Sequence, residues 1–250
     1  MPEVTLNSAE RLLFRGNYSQ RIIVLYKVPV RRLRPHIPEV FNIPSFTRDG
    51  KAFAYIGIEF IFQNAVWLSA LPYNKFSSHI TNYFSFVRKN KSNDYGIFYW
   101  GGVVSGFLKF WKAVVWNAPW YTAQFLVKSD ISDNTLNHID ISNIGAQLAL
   151  SLNANTHADF SIDEQYIIED LENIQNPAFY CFENLSNKHK LHFFKLNRMP
   201  KSRQYLKIEN IQAEVMQNLC LLTSEEMKSP FVAFAESTQQ YDIKFLKYND

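Results

Sequence analysis

The sequence predicts a mainly β, α+β domain: a mostly antiparallel sheet, curled or closed, with two or three helices packed at its mouth and flank. Three observations point there. Aromatic residues make up 16% of the chain, with Phe 21, Tyr 13 and Trp 5, and large rings favour half-buried pleated surfaces. Short β-rich runs recur along the whole chain, separated by Asn, Asp, Ser and Pro rather than by the scarce Gly, of which there are 8. No composition break, repeat or linker divides the 250 residues, so one domain spanning 1–250 is expected.

Taken in order, RIIVLYKV (21–28) is a strand. VPVRRLRPHIP then makes a helical turn or two, stopped by Pro35 and Pro38. Asp49-Gly50 turns the chain into a strand over AFAYIGIEFIF, and residues 63–78 read as a loop because of Asn64, Pro72, Asn74 and the paired serines. HITNYFSFVRK, NKSND and YGIFYWGG form a hairpin. Residues 103–117 place Phe107, Phe110, Trp111, Val114 and Val115 at helical spacing, and Pro119 ends that helix. WYTAQFLVKSD, NTLNHIDIS and IGAQLALSLNA follow as strands. A second helix starts at Ser161, with Glu164 completing a capping box. AFYCFEN, KLHFFKL and SRQYLKIENIQAEV read as three strands, and the tail after Pro230 closes the domain with one or two more.

Several function classes drop away. A net charge of +3, with no dense basic stripe, argues against nucleic-acid binding and for a solvated basic face around Arg31, Arg32 and Arg34. Cys181 and Cys220 read as buried thiols, too few for a disulfide framework. The N-terminus lacks the basic start and apolar run of a signal peptide, so the cytoplasm is the expected location. Residues 97–116 are apolar enough to suggest a membrane span. Lys109 and Lys112 interrupt them, however, each costing about 2.5 to 3.5 kcal/mol at mid-bilayer. No Walker loop, nucleophile elbow, HExxH or clustered ligand set occurs, so no cofactor and no metal is expected. His189 and His192, three apart on a strand, send their side chains to opposite faces.

The order of VPVRRLRPHIPEVFNI, DGKAFAYIGIEFIF, TNYFSFVRKN, YGIFYWGG, APWYTAQF and ESTQQYDIKFLKYN resembles an uncharacterised bacterial branch, a domain of unknown function, of the acetoacetate decarboxylase-like superfamily. The resemblance implies a cone-shaped, mostly antiparallel β-barrel with a small-molecule pocket inside. In true acetoacetate decarboxylases the helix-to-strand junction reads proline then lysine, and that lysine forms a Schiff base with the substrate ketone. Here the proline corresponds to Pro119 and the lysine's place is taken by Trp120, whose indole cannot form an imine. Common members of the branch carry Glu-x-Asn-x-Arg on the hairpin strand; here that face reads Ile80, Asn82 and Phe84. The exchange of charged for apolar groups predicts a drier interior than the family's usual one.

Three functions are compatible with these residues. The first is binding of a small apolar or aromatic molecule, with Ile80, Phe84, Tyr99, Trp120, Tyr121 and Gln124 as wall and Asn82 as the orienting hydrogen-bond partner. Core packing accounts for each aromatic taken singly. The second is a lyase or condensing enzyme acting on a carbonyl compound, with Lys112 as the substitute amine; a lysine snorkelling from the helix edge explains the same residue. The third is peripheral membrane or partner contact through the aromatic helix 103–117, which a buried helix explains equally. Oligomerisation is left open by the sequence.

Overall fold

The computed structural model describes residues 11–68, 71–90, 94–106, 117–132, 135–144, 149–156, 177–184, 186 and 191–246. Among the described residues thirteen strands run in chain order: β1 (Arg11–Pro29), β2 (Phe41–Asn42), β3 (Phe46–Arg48), β4 (Lys51–Leu68), β5 (Leu71–Lys89), β6 (Tyr95–Val104), β7 (Trp120–Thr122), β8 (Gln124–Ser132), β9 (Thr135–Ile144), β10 (Leu150–Thr156), β11 (Phe179–Glu183), β12 (Leu191–Ala213) and β13 (Val232–Leu246). The described helices are short: α1 (Val30–Leu33) with a 3-10 turn over Arg34–His36, α2 (Glu214–Asn218) and α3 (Ser224–Met227).

The strands join in the order β11-β6-β5-β4-β1-β13-β12-β10-β9-β8, with β2, β3 and β7 paired at the side of this path. The closed, cone-shaped barrel expected from the sequence is therefore corrected. The sheet as a whole is not a closed barrel: its path ends at β11 and β8, which do not pair with each other. The cause lies in β12, which changes partners along its length. Its first residues pair β11, its middle pairs β13 and its last residues pair β10. The sheet thus curls over on itself at Leu191–Phe194 and then splays into the outer strands β10, β9 and β8. Most pairings are antiparallel, but β11 and β7 each run parallel to β6.

Why the strands read as nearly continuous apolar runs becomes clear from their faces. On β1, Ile22, Val24, Tyr26 and Val28 enter one core cluster, while Ile23 and Leu25 enter another on the opposite side. A strand covered on both faces loses its polar alternation. The first cluster is backed by β9, β10 and the α2–α3 segment, where the Tyr26 hydroxyl donates to the Met227 carbonyl at 3.0 Å. The second, built largely from rings, surrounds the site described below.

Other expectations are met or corrected by the same strands. The turn after Pro29 and the hairpin from His79 to Gly102 form as the sequence predicts. The loop expected at 63–78 is replaced by the ends of β4 and β5, because Gln63 and Ser78 pair with each other in the ladder. The two strands expected between 191 and 213 are one, bent by register shifts around Pro200. Val103 and Val104 belong to β6 rather than to the helix expected over 103–117. Residues 107–116, with Lys109 and Lys112, lie outside the described residues, as does the helix expected from Ser161. Among the described residues no helix is long and apolar enough to cross a membrane. The basic cluster is partly structural: Arg32 pairs with Glu226 at 2.8 Å, and Arg34 donates to the carbonyls of Phe41 and Pro38 at 2.8 and 2.9 Å.

Candidate functional site: a polar row across seven strands

Arg21 lies on the Ile23 and Leu25 face of β1, opposite Glu236 of β13 and Ile61 of β4. It is 1% exposed and its Nη1 donates to Glu236 Oε2 at 2.8 Å, while its Nε donates to Glu59 Oε1. Beyond Glu236, Arg203 of β12 donates from Nη2 to Oε1 at 3.2 Å. On the other side, Glu59 Oε2 accepts from Asn82 Nδ2 at 2.7 Å and from the Tyr99 hydroxyl at 3.1 Å. Asn82 Oδ1 in turn accepts from the Trp120 indole at 2.9 Å. The series Arg203, Glu236, Arg21, Glu59, Asn82, Trp120 thus follows the strand order β12, β13, β1, β4, β5, β6, β7, with one gap at β6.

That gap is Gly102, which pairs with Asn82 on one side and Trp120 on the other. A Cβ there would stand 1.8 Å from the Thr81 carbonyl oxygen and 2.7 Å from Trp120 Nε1. Only a residue without a side chain lets the indole cross β6 to reach Asn82. The Gly102 N–H also donates to the Pro119 carbonyl at 3.1 Å, which anchors the proline-tryptophan junction against the hairpin.

Burial disfavours the Arg21 charge, but attraction to Glu59 and Glu236 outweighs it and raises the pKa, so the guanidinium stays ionised. Its Nη2 is buried with no hydrogen-bond partner. Arg21 and Asn82 form the polar end of a cavity of about 70 Å³, whose wall is otherwise largely apolar and includes Ile80, Tyr99 and Trp120. The aromatic wall is locked by ring contacts: Trp120 stands edge-on to Phe182 at 5.2 Å, and Tyr99 stacks on Tyr180 at 5.9 Å. At the other end, Gln63 donates from Nε2 to the Tyr241 hydroxyl, and the Tyr241 ring lies over Gly16, 5.6 Å from Tyr18.

Among the residues singled out from sequence, Ile80, Asn82, Tyr99 and Trp120 meet at this cavity. Phe84 is buried behind it, edge-on to Tyr99 at 6.3 Å and seated over Gly57. Tyr121 points away, 44% exposed, because it follows the inward Trp120 on a strand. Gln124 is exposed on β8, and Lys112 lies outside the described residues. Ile80 and Phe84 put apolar groups on this face, and beside them Arg21, Glu59 and Glu236 are among the most buried of the described residues. These three, with Gln63 and Tyr241, were missed. The signal was a charge attached to each of three apolar runs: Arg21 at the start of RIIVLYKV, Glu59 within AYIGIEFIF and Glu236 near the end of FVAFAES.

No protein-family description matches the sequence, and no curated protein matches it either. Solved structures do. An acetoacetate decarboxylase from Legionella pneumophila subsp. pneumophila str. Philadelphia 1 superposes with a TM-score of 0.55 at 12% identity, covering 98% of this chain and 90% of that one. The chain shares the acetoacetate decarboxylase-like fold. An acetoacetate decarboxylase-like enzyme from Sphingomonas wittichii RW1 gives a TM-score of 0.53 at 12% identity over 94% of this chain and 91% of that one. The enduracididine biosynthesis enzyme MppR, with HEPES buffer bound, gives 0.52 at 10% identity over 97% and 87%. In this chain the residues that line the cavity come from β1, β4, β5, β6 and β7 and from β11, β12 and β13.

Proposed function

We propose that this chain, an outlying member of an uncharacterised branch of the acetoacetate decarboxylase-like proteins, binds a small molecule with an apolar or aromatic body and one carbonyl-type oxygen. The oxygen accepts from Arg21 Nη2, and the body lies against Ile80, Tyr99 and Trp120. The observation that carries this reading is a largely apolar cavity whose lining residues include Arg21, a buried guanidinium with one nitrogen that has no hydrogen-bond partner. Leaving such a donor unmatched costs about 1–3 kcal/mol, which an incoming acceptor recovers. Binding proceeds without an imine at the junction, since Trp120 and not lysine follows Pro119. Differential scanning fluorimetry with 2-butanone and acetophenone tests this: both raise the melting temperature of the intact chain, Trp120→Ala removes the shift, and cyanoborohydride leaves the protein mass unchanged. A ketone-dependent mass increment on any lysine overturns the non-covalent reading.

A second reading, an enzyme acting on a carbonyl compound, is favoured by one arrangement: the Tyr99 hydroxyl and Asn82 amide both on Glu59 Oε2, which is a relay able to hold a proton beside the cavity. MppR is named as a biosynthesis enzyme and has been crystallised with the condensation product of pyruvate and imidazole 4-carboxaldehyde. Enzyme-dependent exchange of the α-protons of 2-butanone in D2O, lost in Glu59→Gln, selects this reading over simple binding.

A further inference from the structure

The open end of the sheet presents a strand edge. Among the described residues β8 pairs with β9 alone, so its other side meets no described strand. Residues 128–132 are exposed on both faces of β8, and the apolar Leu126 and Ile131 are 52% and 51% exposed. Such an edge is a template for another strand, and charges along it decide which strand can add. Two charges stand on one face of β8: Lys128, opposite Asp140 of β9 in the ladder, and Asp130, opposite His138. Asn137 donates to Asp130 Oδ2 at 3.4 Å and to Ser132 Oγ at 2.8 Å.

The order of these side chains is self-complementary. A second β8 added antiparallel, with a two-fold axis at Ser129, sets Lys128 against Asp130 of the copy and Asp130 against the copy's Lys128. Each Lys128 then lies between Asp140 of its own β9 and Asp130 of the copy. On the other face Val127, which packs on the first core cluster, comes opposite Ile131 of the copy and covers a side chain that stands half exposed in the single chain. Moving the copy by two residues in either direction sets Lys128 against Lys128 or Asp130 against Asp130, and like charges directly opposite are destabilising. A one-residue slip would need the copy turned over. The edge charges thus admit this register and disfavour its neighbours.

We propose that the chain forms a two-fold dimer by pairing β8 with β8 of a second copy around Ser129. The contact joins the outer strands β10, β9 and β8 of the two copies into one continuous sheet. It stands apart from the cavity, whose lining comes from other strands.

Sedimentation velocity of the intact chain over a concentration series tests the association. A dimer is expected, and a monomer at every concentration overturns the proposal. Lys128→Glu turns both attractive pairs into repulsive ones and raises the dissociation constant at least about tenfold, while adding Asp130→Lys to it restores the dimer. A dimer indifferent to Lys128→Glu, or not restored by the double exchange, overturns the β8 contact. The register is read by cysteine cross-linking in a Cys220→Ser background, since Cys220 is exposed. Mild oxidation links Ser129→Cys chains, which meet at the axis, and leaves Leu126→Cys chains unlinked. No link at Ser129→Cys, or a link at Leu126→Cys alone, overturns the register. All the substituted positions on β8 are exposed, so these variants keep the fold.

Discussion

Asn82 is the residue on which the row turns, because it must donate on one side and accept on the other. Its amide nitrogen meets a carboxylate and its amide oxygen meets an indole N–H, a combination that neither an apolar nor an ionised acidic side chain reproduces. Asn82→Leu removes both hydrogen bonds in a buried setting and is expected to lower stability by about 1–3 kcal/mol in urea titrations. Asn82→Asp is expected to be worse, and in a pH-dependent way. The new carboxylate faces Glu59, so its folded pKa rises above the unfolded value, and the folded state loses stability as pH climbs through that interval. Urea midpoints at pH 5 and pH 8 read the difference; equal losses at both would reject the like-charge contact. Asn82, Ile80 and Trp120 were legible through the resemblance to acetoacetate decarboxylase-like proteins, which pointed to one face of the hairpin strand and to the residue after Pro119. Arg21 was not, since its two carboxylates lie 38 and 215 residues away and only the pairing of β1 with both β4 and β13 unites them.

Two elements show how local geometry holds the site. In β6, Gly101 has φ +142°, a region that favours glycine, and Gly102 sits under the Trp120 indole. Gly102→Ala drives a methyl group into the Thr81 carbonyl and the indole nitrogen. It is expected to detach Trp120 from Asn82, seen as a shifted tryptophan emission maximum and a large loss of stability. The other element is α3, whose capping box joins Thr223 to Glu226, with Arg32 of the α1 helix on the same carboxylate. Burial pushes the Glu226 pKa up, but the hydrogen bond from the Thr223 N–H and the Arg32 charge outweigh it and hold it below the ordinary value. A depressed carboxylate pKa stabilises the fold above the unfolded value and ceases to do so as pH falls through the folded one. Thr223→Ala removes the hydroxyl that caps the Glu226 N–H and is expected to cost about 1 kcal/mol at pH 7; Arg32→Met, which removes the charge facing Glu226, is expected to cost stability at pH 7 and less as pH falls and Glu226 takes up its proton. Neither α2 nor α3 was foreseen, because four or five residues carry too little periodicity to register. The strand ends at 63–78 were hidden for a different reason: polar residues in a ladder look like a loop until Gln63 and Ser78 are seen to pair.

At the scale of the whole molecule, the sheet is covered on both faces by apolar clusters, and the polar row crosses between its strands as the exception. The mainly β class was readable from composition and recurrent runs. The openness of the sheet was not, since it depends on β12 exchanging β13 for β10, a choice no local pattern encodes. Hydrophobic burial of that extent does not need buried ions, and ion pairs removed from water contribute little net stability. The row is thus better explained by what it presents to the cavity than by what it adds to the fold, and this has a measurable consequence. Arg21→Met alone strands Glu59 and part of Glu236 and is expected to cost about 3–5 kcal/mol. Replacing the three sealed groups together, as Arg21→Met, Glu59→Leu and Glu236→Leu, removes every buried charge among the described residues, while Arg203 keeps its place over Phe234 at the partly exposed edge. The triple variant is expected to regain most of the lost stability in urea titration, a strong departure from additivity for residues in one network, and to lose the melting shift with 2-butanone and acetophenone. A triple variant less stable than Arg21→Met would mean that the row holds the curled sheet together; one that keeps the shift would mean that the ligand does not engage Arg21.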